Sequence, residues 1–139
     1  MWMRPVLECA GNSMPTTIEG AKLMAFLATR DGARARAFYE TTLGFQVVSD
    51  DGFALALDAS GTMVRIQKVA AFDPHPFTAL GWAVPDIGRA VEQLVAAGVV
   101  FARFAGLDQD DRGIWRSPSG ARVAWFKDPD GNTLSLTQF

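Results

Sequence analysis

Two stretches of this 139-residue chain repeat one another, and the repeat decides most of what the chain can fold into. Leu23–Val48 and Thr78–Phe101 each read as apolar strand, Asp, amphipathic helix, Gly, second strand. Asp31-Gly-Ala-Arg34-Ala35 aligns with Asp86-Ile-Gly-Arg89-Ala90 at one constant offset, and after one residue of drift Leu43-Gly44-Phe45 meets Ala97-Gly98-Val99. A period of about 55 residues that occurs only twice is too long for a solenoid unit and marks a duplicated module. Either half alone would bury too little surface for comfortable stability, so two modules sharing one core are favoured.

Asp31 and Asp86 are good N-caps, because a carboxylate there accepts from the free N–H groups of the first turn. Gly44 and Gly98 supply the left-handed stops. The pattern predicts a strand at 23–29, a helix at about 32–42 with Ala35, Phe38, Tyr39 and Thr42 on one face, and strands near 45–49, 53–58 and 62–68. Asp51-Gly52 and Ser60-Gly61 are the turns between those strands. A linker, Asp73-Pro74-His75-Pro76, leads to a strand at 78–84 and a helix at about 87–97 that buries Ile87, Ala90, Val91, Leu94 and Val95. Strands near 99–104, 112–117, 121–127 and 133–138 follow. Each half is therefore βαβββ, and the class is α+β with two tandem modules. Residues 1–20 read as a flexible tail and 21–139 as one domain, module one spanning 22–70 and module two 77–139.

A formal net charge of −2 leaves no basic face for nucleic acid. No apolar run approaches the ~20 residues that cross a bilayer, so no membrane partner is expected. The first residues lack the apolar core of a secretory signal, and the single Cys9 can form neither an internal disulfide nor a thiolate cage. These features point to the cytoplasm. The acidic loop Asp108-Gln109-Asp110-Asp111 lacks calcium-loop spacing and reads as a solvated turn.

The chain resembles the vicinal oxygen chelate superfamily, which includes glyoxalase I, extradiol dioxygenases and the fosfomycin and bleomycin resistance proteins. The resemblance rests on Thr29-Arg-Asp31 leading to Ala37-Phe38-Tyr39 and Leu43-Gly44-Phe45, and on Val84-Pro-Asp86 leading to Ala97-Gly98-Val99. Its strongest element is Trp125-Phe-Lys-Asp128-Pro-Asp130-Gly-Asn132-Thr-Leu-Ser135-Leu136. It implies that the two βαβββ modules form a curved mixed sheet around a groove in which enzyme members hold a divalent metal, and it implies a homodimer. Carried over one at a time, the ligand positions fall on Met24, Ala79, Ser135 and, by internal symmetry, Arg65. None offers the imidazole or carboxylate that such a metal needs. The one histidine, His75, lies in the linker and reads as a surface residue. No metal or other cofactor is therefore expected.

Strand alternation sketches the groove directly from the residues. With position 24 inward, Phe26 and Ala28 follow, as do Ala79, Gly81 and Ala83, Met63, Arg65 and Gln67, and Thr133, Ser135 and Thr137. Their neighbours on the other face are uniformly apolar. A groove of this mixture suits an organic ligand with one anionic or carbonyl group. Arg65 is either its anchor or, if the strand slips by one, a solvent-facing side chain. Trp115 and Trp125 fit a groove wall and a subunit interface equally. No Gly-x-Ser-x-Gly elbow, phosphate loop or dinucleotide fingerprint is present, and no groove carboxylate or histidine is available for acid–base work. The sequence thus favours a metal-independent small-molecule-binding protein without catalytic residues, whose groove comprises Met24, Phe26, Arg65, Gln67, Ala79, Gly81, Trp115, Trp125 and Ser135. The alternative is a divalent-metal-dependent glyoxalase-like lyase or dioxygenase.

Overall fold

The computed structural model of the chain describes residues 18–139; Cys9 and all but the last three residues of the expected tail lie outside them. The first module contains β1 (Met24–Thr29), helix α1 (Gly32–Arg36) running into a π-helical segment (Ala37–Thr42), then β2 (Gln46–Asp50), β3 (Ala54–Ala59) and β4 (Thr62–Lys68). The second contains β5 (Thr78–Ala83), α2 (Ile87–Ala96), β6 (Trp115–Arg116), β7 (Arg122–Lys127) and β8 (Thr133–Gln138). The sheets have equivalent orders, β1-β4-β3-β2 and β5-β8-β7-β6. In each, the first and last strands of the module run parallel and the other pairs are antiparallel.

The duplication extends to atomic detail at the helix starts. Asp31 accepts from Arg34 N at 3.1 Å with φ −144° and ψ 96°, and Asp86 accepts from Arg89 N at 3.1 Å with φ −145° and ψ 96°. The helix ends differ. Leu43 N bonds Phe38 O, five residues back, so the last turn of the first helix is wider than α. That wider turn lets two consecutive aromatics both contribute to the interior: Tyr39 is fully buried, and Phe38 packs edge-on to it at 5.1 Å and against Phe126 of the other module at 6.4 Å.

Both sheets turn one face to a single core. Leu27, Leu55, Leu57, Val64 and Ile66 of the first sheet join Ala124, Phe126, Leu134 and Leu136 of the second, with Ala35, Tyr39, Ile87 and Val91 from the helices. Phe45 stacks on Trp82 at 5.3 Å, again across the modules. The expected alternation holds in β1, β4 and β5, with one exception: Leu23 precedes β1, has no strand to hold it inward, and is 79% exposed.

The expected strand at 99–104 is not formed. Phe101 makes one bridge to Phe126, Ala102 N bonds Trp125 O, and the chain then leaves the sheet. Polar side chains brace the long connection that follows. Gln109 Nε2 donates to the carbonyls of Ala102 and Gly113, and the Arg103 guanidinium donates to those of Asp110 and Asp111. Within it, Asp110 accepts from Arg112 N and Ile114 N, so one carboxylate of the acidic loop shapes a turn. The expected strand at 112–117 shrinks to the two residues of β6. Among the described residues, no helix is long and apolar enough to cross a membrane.

Candidate functional site

The face of each sheet that points away from the core carries the residues singled out by alternation. On the first sheet, register places Phe26 beside Arg65 and Arg65 beside Ala56. One step along, Met24 pairs with Met63 and Met63 with Asp58; in the other direction Ala28 pairs with Gln67 and Gln67 with Ala54. Phe26 is 55% exposed and Met24 42% exposed, large apolar groups left on a strand face. A recess of about 370 Å³ at the methionine end is lined by Leu23, Met24, Val48 and Met63, with Lys22 and Asp58 at its rim. Asp58 brings a carboxylate to this face, but Gly61 N donates to it at 2.7 Å, which fixes the β3–β4 turn.

Arg65 is half-buried in the middle of that face. It makes no hydrogen bond or ion pair among the described residues. Its charge acts on Asp51, but that carboxylate is committed elsewhere: backbone N–H groups of Phe53 and Ala54 donate to it and hold it below the ordinary carboxylate range, with Arg65 contributing less. Asp50, similarly, is held low by Lys68 and Arg36. The acids of this module are thus spoken for by turns and by other cations. Arg65 keeps donors to spare.

On the second sheet, Gly81 lies beside Ser135 and Ser135 beside Trp125. Ala83, Thr137, Val123 and Trp115 form the next row on the same face. The facing of both tryptophans, open from the sequence, is therefore outward. Their rings lie 5.9 Å apart, Phe104 meets Trp125 edge-on at 5.3 Å, and the Trp125 indole N–H donates to Thr78 Oγ1 at 3.2 Å. Ser135 is buried, with its hydroxyl over Gly81, where any β-carbon would collide with it.

The two outer faces meet at the linker. A pocket of about 220 Å³ takes Phe26, Ala28 and Gln67 from the first sheet, Ala79 from the second, and Phe72, Asp73, Pro74 and His75 from the linker between them. Three of the expected residues, Phe26, Gln67 and Ala79, are thereby brought together. Trp115, Trp125, Gly81 and Ser135 form a separate group. The linker residues were missed because nothing in Asp-Pro-His-Pro states which way the chain folds back; the prolines signal only that it is stiff.

The same region holds a polar clamp between the modules. Asp128 is buried and accepts from Tyr39 Oη at 2.7 Å, Asn132 Nδ2 at 2.8 Å, and the backbone N–H groups of Asp130 and Asn132. Asp130 accepts from Thr29 Oγ1 at 2.5 Å and from Arg30 N at 2.9 Å, while Asn132 Nδ2 also donates to Ala28 O. Burial opposes the charge on Asp130, yet the Arg30 N–H, the Thr29 hydroxyl and the Arg30 guanidinium outweigh it and hold the carboxyl below its ordinary range. Burial and then the Asp128 charge push the Tyr39 hydroxyl far above the usual phenol range. The Asp-Pro-Asp-Gly-Asn turn therefore fastens module two to β1.

The positions that the resemblance assigns to metal ligands carry a thioether, a guanidinium, a methyl group and a hydroxyl: Met24, Arg65, Ala79 and Ser135. This set does not fit a divalent cation of the kind held by imidazole and carboxylate. Among the described residues, no three His, Cys, Asp or Glu side chains converge in a way that could hold one.

The family model described as the glyoxalase/bleomycin resistance protein/dioxygenase superfamily matches residues 22–136. Solved structures agree. A member of that superfamily from Sphaerobacter thermophilus is 26% identical, with TM-score 0.68, covering 86% of this chain and 98% of its own. A bleomycin resistance determinant encoded on transposon Tn5 is 24% identical, with TM-score 0.67 and coverages of 85% and 97%. A lactoylglutathione lyase from Agrobacterium tumefaciens is 17% identical, with TM-score 0.66 and coverages of 86% and 93%. No curated protein matches the chain significantly. Repeat, sheet order, inter-module turn and family match agree: the chain belongs to the glyoxalase/bleomycin resistance protein/dioxygenase superfamily.

Proposed function

We propose that this protein binds a small organic anion without a metal, on the outer sheet faces, with Arg65 as the anchor. The observation that supports this reading is a half-buried arginine, with no hydrogen-bond or ion-pair partner among the described residues, whose strand neighbours are Phe26 and Ala56. Keeping a cation out of bulk water costs free energy that a ligand carboxylate or phosphate would offset through paired N–H···O bonds. The family's assigned metal positions give no competing donor set. The apolar groups left on the same faces, Phe26, Met24 and Phe104 among them, favour a homodimer in which a second copy encloses the site.

Three measurements test the proposal. Equilibrium dialysis against zinc, manganese and nickel is expected to show no stoichiometric binding; one equivalent of any of them held tightly would overturn metal independence. A thermal-shift screen of small carboxylates and phosphates is expected to yield stabilisation that grows as RT ln(1 + [L]/Kd) and disappears in Arg65→Ala. Stabilisation unchanged by that substitution would remove Arg65 from the site. Light scattering is expected to give twice the chain mass.

A further inference from the structure

The linker pocket has a chemistry of its own, and it lies one step along β4 from the anchor. Gln67 lines it, and Gln67 follows Arg65 on the same strand face at a spacing of roughly 7 Å. An arginine side chain reaches that far. The pocket's walls are two phenyl rings, Phe26 on β1 and Phe72 on the linker, with Ala28 and Ala79 leaving room between them. Its polar side chains are Gln67, His75 and Asp73 on the linker side, and Asn132, whose amide N–H groups are already given to Ala28 O and Asp128.

Neighbouring contacts tie that wall down. Phe72 lies under the Arg30 guanidinium, 5.2 Å from its ring centre, and Arg30 is itself held by Asp130. Pro74 packs over Gly131, where an added methyl would sit 3.3 Å from the proline ring. The His75 ring stacks on Phe77 at 4.9 Å with the planes 5° apart, so its edge is set in one direction. A wall fixed at both ends is a pre-formed feature, which spares a ligand the cost of ordering it.

We propose that this pocket receives the ring of an aromatic monocarboxylate whose carboxylate lies on Arg65, with Gln67 and His75 meeting polar substituents on the ring. The inference rests on the anchor role given to Arg65 above and adds the ring's location and class. Flat rings suit a slot between Phe26 and Phe72, and about 220 Å³ admits one ring but not an extended polycyclic system. His75 acts here as a specificity residue.

The test uses three probes on the untagged protein: benzoate, acetate, which lacks the ring, and benzamide, which lacks the charge. The chain has a single histidine, so its imidazole proton resonances report on this pocket alone. Benzoate is expected to bind more tightly than either other probe and to shift the His75 ring signals, while acetate leaves them in place. Ala79→Leu, which adds bulk at an exposed position, is expected to weaken benzoate at least about tenfold and to leave acetate unchanged. Arg65→Ala should abolish both. If benzoate binds but neither moves His75 nor responds to Ala79→Leu, the ring lies elsewhere and the pocket assignment fails, while Arg65→Ala still decides the anchor. If benzoate binding survives Arg65→Ala, the anchor itself is wrong. No benzoate binding at millimolar concentration overturns the aromatic class, leaving the wider anion screen to judge the parent reading.

Discussion

At the scale of single residues, the chain separates charges that hold the fold from a charge held in reserve. Both carboxylate oxygens of Asp128 and of Asp130 accept hydrogen bonds, whereas Arg65 has donors and no acceptor among the described residues. Tyr39→Phe removes one bond to a buried carboxylate that keeps three other donors, so a loss of about 1–2 kcal/mol is expected from urea denaturation. Tyr39→Ala also opens a cavity beneath Phe38 and should cost about 3–5 kcal/mol. Asp130 gives the pH dependence. Its carboxyl is held low in the folded chain, so its contribution is complete above the unfolded value of about 3.9 and is lost as pH falls through the lower folded value. Acid unfolding curves for wild type and Asp130→Asn should therefore lie furthest apart near neutrality, begin to converge as pH falls below about 4, and meet only below the lower folded value. A constant separation at every pH would show that Asp130 matters by shape alone.

At the scale of elements, the two helix starts are copies and should behave as copies. Asp31→Ala and Asp86→Ala each remove one cap bond to an exposed N–H, and each is expected to cost about 1 kcal/mol. Because the caps share no partner, the double variant should lose the sum to within about 0.5 kcal/mol in chemical denaturation. The pair also shows what was legible in the sequence. Caps, glycine stops and strand parity depend on neighbours in the chain, so Asp31, Asp86, Gly44, Gly98 and the inward sets of β1, β4 and β5 could be read directly. The π-helical turn could not, because it exists to place Phe38 and Tyr39 against Phe126 and Asp128, about ninety residues away. Nor could the irregular path at 99–114: Val99 and Phe101 have the alternation of a strand, yet Gln109 and Arg103 satisfy the backbone in its place. Of the residues in the proposed site, parity singles out Phe26, Arg65, Gln67 and Ala79 but not Phe72 or His75, since a linker has no period from which its direction can be read.

At the scale of the whole molecule, the shared core makes the modules one cooperative unit, although each has its own sheet. Phe38 touches Phe126, Phe45 stacks on Trp82, and Tyr39 and Thr29 bond the turn before β8, so unfolding either module strips apolar and polar partners from the other. The placement of tryptophan makes this measurable. Trp82, Trp115 and Trp125 all lie in module two, and module one has none from Met24 to Lys68. In a Trp2→Phe background, fluorescence thus reports module two, while far-ultraviolet circular dichroism reports both. Leu55 is completely buried in β3 of module one, and Leu55→Ala should cost about 2–5 kcal/mol through lost burial and the cavity left behind. If the modules unfold together, the fluorescence midpoint of module two falls by the full amount and coincides with that from circular dichroism. A fluorescence transition that stays where it was, while circular dichroism splits in two, would mean that the inter-module clamp is weaker than the cores it joins. The linker pocket would then be the boundary between two folding units, and a ligand bridging Phe26, Ala79 and Phe72 would gain affinity from closing it.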